Sequence, residues 1–210
     1  MVCKSSLSLN ENLKEQKRIL NVGCGKTRIP GSIGLDTVKI GSFVDVIHDL
    51  DVVPYPFSDK YFDEVHMYHV LEHLHNPVEK ISEIHRILKP GGVLYLRVPH
   101  FSSMGAFTDI THVRPFGYRS FDVFDARDPH SYYSKVSFNI LKKEIKYFGL
   151  YPNSGVYEKY IHKNQCPLIF RPIVLLVNFL IRISPTAFER FWCYLVGGAT
   201  EICVVMEKPR

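Results

Sequence analysis

The chain has 210 residues, 46% hydrophobic and 22% charged, which suits one globular domain and excludes a disordered or fibrous protein. Its net charge of +5 is spread without a block of Lys or Arg, so no nucleic-acid footprint is expected. The cysteines Cys3, Cys24, Cys166, Cys193 and Cys203 form no CxxC pair, and the amino-terminal stretch is polar. Both features are expected of a cytoplasmic protein without a signal peptide.

In chain order, residues 1–17 read as an extension ahead of a domain running to residue 210. Strands are expected at Arg18–Val22, Ser32–Leu35, Phe43–Ile47, Phe62–Tyr68 and Gly92–Val98, each closing on glycine or polar residues. Between the fourth and fifth, Val78, Ile81, Ile84 and Leu88 keep helical spacing until Lys89-Pro90-Gly91-Gly92 stops the helix. A short helix is expected around Tyr118–Phe124, a sixth strand at Phe138–Phe148 and a seventh at Ala199–Glu207. The long stretch between the last two, about residues 150–198, reads as a helical insertion, with helices at Pro172–Ile183 and Thr186–Val196. The pattern predicts an α/β, doubly wound, mostly parallel sheet covered on both faces. Ligands of such sheets bind beyond the carboxyl ends of the strands, where Gly23, Asp36, Asp49, His69 and His100 all fall.

The stretch LNVGCGKTRIPGSIGLD, Leu20 to Asp36, admits three nucleotide readings. A P-loop needs a glycine at position 20, which is Leu20. A dinucleotide fingerprint needs its third glycine where Arg28 stands, and its acidic residue about 20 residues on, farther than Asp36. That weakens NAD binding without excluding it. S-adenosylmethionine has no pyrophosphate; it asks for close backbone approach, which Gly23 and Gly25 permit, and a carboxylate for its ribose, which Asp36 supplies.

With HDLDVVPYPFSDKYFDEVHMYHVLEHL and EIHRILKPGGVLYLRVPH following in order, the segment from Ile19 to His100 closely resembles the class I S-adenosylmethionine-dependent methyltransferases. The resemblance is nearest to small members with a shortened first crossover. It implies a Rossmann-like seven-stranded sheet with an antiparallel last strand, and S-adenosylmethionine as cofactor. It also implies that Gly23, Cys24 and Gly25 line the methionine end, Asp36 binds the ribose, Asp49 and Leu50 meet the adenine edge, and His69 borders the methionine and the sulfonium. The Leu-Glu-His stretch of the family is used without a metal, and HExxH is missing here, so Glu72 and His73 are expected to orient the chain and no metal is expected.

The segment HFSSMGAFTDITHVRPFGYRSFD is where the methyl acceptor is expected. His100, Asp109 and His112 are the candidate bases; Arg114 suits an anionic group on the substrate, and Tyr118 and Phe101 suit a ring. O-methylation of a sugar, a glycan precursor or another small hydroxylated metabolite is the expected activity. A non-catalytic cofactor-binding regulator and an NAD-dependent oxidoreductase are the alternatives. The apolar helix of the insertion is expected to be buried, with peripheral membrane contact through residues 170–196 as the sharper alternative.

Overall fold

A computed structural model describes residues 17–147, 168–195 and 198–210. Seven strands form one sheet: β1 (Ile19–Val22), β2 (Ser32–Asp36), β3 (Val46–Ile47), β4 (Phe62–Tyr68), β5 (Leu88–Pro99), β6 (Asn139–Lys146) and β7 (Glu201–Glu207). Their order is β3-β2-β1-β4-β5-β7-β6. The first five are mutually parallel, whereas β7 runs antiparallel to both β5 and β6. This is the mostly parallel Rossmann-like sheet that the strand pattern predicts. Because β7 is reversed, its first residue, Glu201, pairs with Pro99 at the carboxyl end of β5. An acid at the start of β7 thereby joins the edge where Gly23, Asp36 and His69 end their strands.

Helix α1 (Pro77–Ile87) forms where its apolar spacing predicts. Asn76 caps it, its side chain accepting a hydrogen bond from Glu79 N–H, and Pro77 occupies the first turn, where a missing N–H costs nothing. At its other end the buried Lys208 amine donates to the carbonyls of His85 and Leu88, at 2.7 Å and 2.8 Å. Ile81, Ile84 and Ile87 are fully buried with Leu94, Leu96 and Val98 of β5 in the main core. Lys89-Pro90-Gly91-Gly92 ends the helix and continues as an irregular start of β5: Leu88 pairs with Phe62, Val93 with Glu64, and Gly91 takes φ +77° between them.

Two departures have a common cause. Among the described residues no helix separates β1 from β2 or β2 from β3, and β3 is reduced to two residues because 41–43 form a turn. With those crossover helices missing, one face of the sheet is only partly covered by the described residues. There β4 and β5 present Glu64, His66, Tyr68, Tyr95 and Arg97, half-buried, with His66 stacked on Tyr95 at 4.6 Å.

Between β6 and β7 lie α3 (Arg171–Ile183) and α4 (Pro185–Arg190), followed by a 3-10 turn at Trp192–Tyr194 where a longer second helix was expected. A four-residue helical turn, α2, spans Gly105–Thr108. The expected end of strand six at Phe148, and Val196 with the Gly197 stop, lie outside the described residues. Val174, Ile181 and Phe188 build a second small core with Ile145 and Tyr147. Asn178 fixes it by exchanging two hydrogen bonds with the Tyr147 backbone, at 3.0 Å and 2.8 Å. The rest of α3 is exposed, contrary to the expected burial: Ile173, Leu176, Phe179 and Ile183 are each more than half accessible, from 57% to 66%. No helix among the described residues is long and apolar enough to cross a membrane.

Candidate active site

The glycine loop turns directly after β1. Gly23 and Gly25 adopt φ +60° and +53°, left-handed values that cost other residues energy. A Cβ on Gly23 would lie 2.3 Å from Val70, whereas one on Gly25 would meet nothing within 4 Å. Gly25 therefore borders open space, as an approach to a ligand requires. The loop is held from behind: Gly23 and Cys24 N–H donate to Leu35 O, and the Cys24 thiol donates to Phe43 O. Burial and the nearby Asp36 push that thiol up to about 11, so it lines the loop as an uncharged group. Arg28, the residue in place of a third glycine, bonds Ser42 O and Ser32 O and pairs with Asp45 at 2.9 Å. A guanidinium staple thus replaces the missing helix in bracing the short crossover.

Asp36 closes β2 with its carboxylate facing the loop. Gly25 N–H donates to Oδ2 at 2.7 Å and Thr37 N–H to Oδ1 at 2.8 Å. Val38 N–H also reaches Oδ1, at 3.4 Å, so Oδ2 is the oxygen that keeps a further lone pair for a ribose hydroxyl. At the end of β3, Asp51 is committed elsewhere: it accepts from His75 N–H and pairs with the His75 ring at 2.9 Å. Asp49 is the exposed acid of the two, and Leu50 beside it is buried with its carbonyl held by the Tyr55 hydroxyl.

His69 follows β4 in a left-handed conformation, φ +54°. Its ring lies between two carboxylates that are each 1% accessible, Glu72 at 3.4 Å and Glu201 at 3.5 Å. Burial works against its charged form, but the pairs to Glu201 and Glu72 outweigh that and raise it to about 9. Two carboxylates around one imidazolium leave a net negative pocket floor, suited to a cationic ligand. Glu201 and the chemistry of Glu72 were not foreseen; the one available signal was an acid opening the apolar run ICVVM.

The segment after β5 folds back over this floor, Val113 N–H donating to Glu72 O at 2.8 Å. It brings Asp109, Thr111 and His112 to His73, whose ring packs edge-on against His112 at 4.6 Å. Arg114 is half-buried there, with its Nε buried and without a hydrogen-bond partner. Three expected site residues stand apart. His100 is wholly buried; Nδ1 accepts from Ser102 N–H while Nε2 meets Glu189 of α4 at 3.0 Å. Both ring nitrogens being engaged, His100 is a post that ties the insertion to β5. Phe101 packs on the His100 ring at 4.4 Å, and both Phe101 and Tyr118 pack against the second core. Lys143 lies over the Tyr118 ring at 4.2 Å.

The geometry has its counterpart among known proteins. Residues 34–96 match the family model described as a methyltransferase domain. That segment, from β2 into β5, is similar to a methyltransferase domain. Solved structures agree on its fold. A SAM-dependent methyltransferase from Archaeoglobus fulgidus is 19% identical, with TM-score 0.54 over 93% of this chain and 87% of that one. A candidate methyltransferase from Bacillus halodurans is 17% identical, with TM-score 0.50 over 95% of each chain. The [4+2]-cyclase SpnF is also similar, 18% identical with TM-score 0.50 over 92% of this chain and 74% of that one. A search among curated proteins returns no match.

The similar protein from Archaeoglobus fulgidus is SAM-dependent, and the loop here suits S-adenosylmethionine. Open space at Gly25, a free lone pair on Asp36 Oδ2 and the carboxylates around His69 are compatible with an amino-acid end, a ribose and a sulfonium respectively. When bound, it supplies the methyl group as an electrophile.

Proposed function

We propose that this methyltransferase acts on a hydroxyl oxygen of a small hydroxylated acceptor, a sugar or glycan precursor in particular. One observation carries the reading: Thr111 Oγ1 links His73 Nδ1 at 2.8 Å to Asp109 Oδ1 at 2.6 Å, with His112 against the same imidazole. An alcohol must lose a proton as it reacts, whereas a thiolate or carboxylate need not, so a hydroxyl acceptor calls for such polar groups. In the reaction the acceptor oxygen bonds to the methyl carbon, and the methyl–sulfur bond breaks with its electron pair on sulfur. The hydroxyl proton leaves to this cluster or to water. The chain contributes alignment and exclusion of water, worth up to about 7–11 kcal/mol in favourable cases. Arg114, with a donor to spare, supports an anionic group on the acceptor.

The test is release of S-adenosylhomocysteine across a panel of hydroxylated, thiol and carboxylate acceptors. Turnover with a hydroxylated compound, falling about 100-fold or more in Asp109→Ala or His112→Ala while cofactor affinity holds, is expected. Turnover confined to thiols or carboxylates contradicts it, and cofactor binding without any turnover would favour a regulatory protein.

A second reading concerns the insertion: its exposed face meets an anionic bilayer. α3 exposes apolar side chains, as do Phe191 and Trp192 after it, and the same stretch carries Arg171, Arg182 and Arg190. Glu189, the one acid in 168–195, is turned inward to His100 and Tyr118 N–H. Exposed apolar side chains in a stretch whose charges are otherwise basic complement anionic lipid. Co-sedimentation with phosphatidylglycerol vesicles, lost in Leu176→Glu and with neutral vesicles, supports it; self-association without vesicle binding overturns it.

A further inference from the structure

We infer that Glu72, His73 and His112 form a binding site for one divalent first-row transition-metal ion on the acceptor side of the methyltransferase. Ligand-capable atoms of the three residues lie within 4.8 Å of one another. Two donors each about 2.1 Å from a single ion are at most about 4.2 Å apart, so small side-chain rotations close the set.

The hydrogen bonding around the three residues suits a cation. Glu72 is 1% accessible, and neither carboxylate oxygen has a hydrogen-bond partner; it pairs with the His69 ring at 3.4 Å. His112 Nδ1 lies 3.3 Å from Ala106 O, and since a carbonyl only accepts, Nδ1 carries the proton and Nε2 keeps its lone pair. At His73 the same conclusion follows through Thr111. The threonine hydroxyl has one hydrogen, and the 2.6 Å contact to the Asp109 carboxylate claims it, being shorter and charge-assisted. Thr111 Oγ1 must then accept from His73 Nδ1 at 2.8 Å, which leaves His73 Nε2 bare. His112 Nε2 has the Asp109 carboxylate 3.8 Å away, a contact that an ion at the three residues would have to displace.

An imidazole whose far N–H is held by a hydroxyl–carboxylate pair or a backbone carbonyl is the outer-shell arrangement that orients metal-ligating histidines. Two imidazoles and one carboxylate suit zinc, iron or cobalt better than magnesium or calcium, which take oxygen ligands. Three protein ligands leave positions open. An ion there would hold the acceptor hydroxyl and lower the pKa of its O–H, so no single side chain has to act as a strong base. That role rests on the hydroxyl-acceptor reading; the binding of the ion does not. The ion is contrary to the sequence expectation of no metal, because His112 reaches the pair from a distant loop that spacing does not reveal.

The experiment is titration of chelator-treated full-length protein with Co2+, read by visible absorption, alongside calorimetry with S-adenosylhomocysteine on the same samples. One Co2+ per chain is expected, with affinity reduced about ten-fold or more in His73→Ala, His112→Ala and Glu72→Gln. Thr111→Val keeps all three ligands and is expected to weaken Co2+ by about ten-fold through loss of the outer bond. His130→Ala, exposed and remote in function, is expected to bind as the native protein does. Thermal melts confirm that each variant folds; His112→Gln replaces any that does not. Absence of Co2+ binding by protein that still binds S-adenosylhomocysteine overturns the ion site alone. Binding that survives both histidine substitutions also overturns it. Co2+ held by these ligands in a protein with no activity on hydroxylated acceptors keeps the site and removes the reaction assigned to it.

Discussion

Strand β5 and helix α3 are both apolar runs, yet they end in opposite environments. Leu94, Leu96 and Val98 of β5 are at most 1% accessible, while Ile173, Leu176 and Phe179 of α3 are at least 57% accessible. β5 lies between two hydrogen-bonded neighbours and beneath α1, so its apolar side chains have somewhere to go. α3 has one buried stripe, Val174 and Ile181, against β6 and leaves its remaining circumference without cover among the described residues. Hydrophobicity states what a segment can bury; the surrounding elements decide what it does bury.

Substitutions make that contrast measurable. Ile84→Ala, in the fully buried face of α1, is expected to cost about 2–5 kcal/mol in urea unfolding. A cost below about 1 kcal/mol would mean that the sheet–helix core is looser than described. Next comes the link between the two regions. Glu189→Ala removes the partner of the wholly buried His100 and the acceptor of Tyr118 N–H, and is expected to cost about 2–3 kcal/mol. Limited proteolysis should then cut within 168–195 while the sheet stays intact. Equal sensitivity throughout the chain would refute the role of His100 as a post.

A pH effect belongs to the core side of the comparison. Burial, then the Lys208 ammonium, lowers His85 to about 4 from its ordinary 6.5. Its neutral form is the one the fold favours, so its contribution is complete above pH 6.5 and is lost as pH falls toward about 4. His85→Gln should flatten the stability profile across that window, and an unchanged slope would contradict the assignment. The smallest effect is expected on the exposed helix. Leu176→Glu should change stability by less than about 0.5 kcal/mol in the absence of vesicles. A cost of several kcal/mol would show that the face is covered.

The same contrast explains what could be read from residues alone. β2 and β4 fell almost where alternation and closing polar residues put them, and the carboxyl-end rule located Gly23, Asp36 and His69 because strand ends are local signals. β3 is shorter than its apolar Phe43-Val44 start suggests because residues 41–43 form a turn, braced by Arg28 through Ser42 O and Asp45. Glu201 and the meeting of Glu72 with His112 escaped because they depend on a reversed strand and a folded-back loop, both long-range events. His100 was read as reactive from its place at a strand end; its engagement by Glu189 could be seen only once the insertion had a position.

The central claim is that the turn after β1 is an adenosyl-cofactor loop read by Asp36. The direct measurement is calorimetric titration with S-adenosylhomocysteine of the native protein and of Asp36→Ala. Micromolar binding that weakens ten-fold or more in the variant, about 1.4 kcal/mol, is the predicted result. A folded native protein that does not bind, or a variant that binds equally well, would contradict the account.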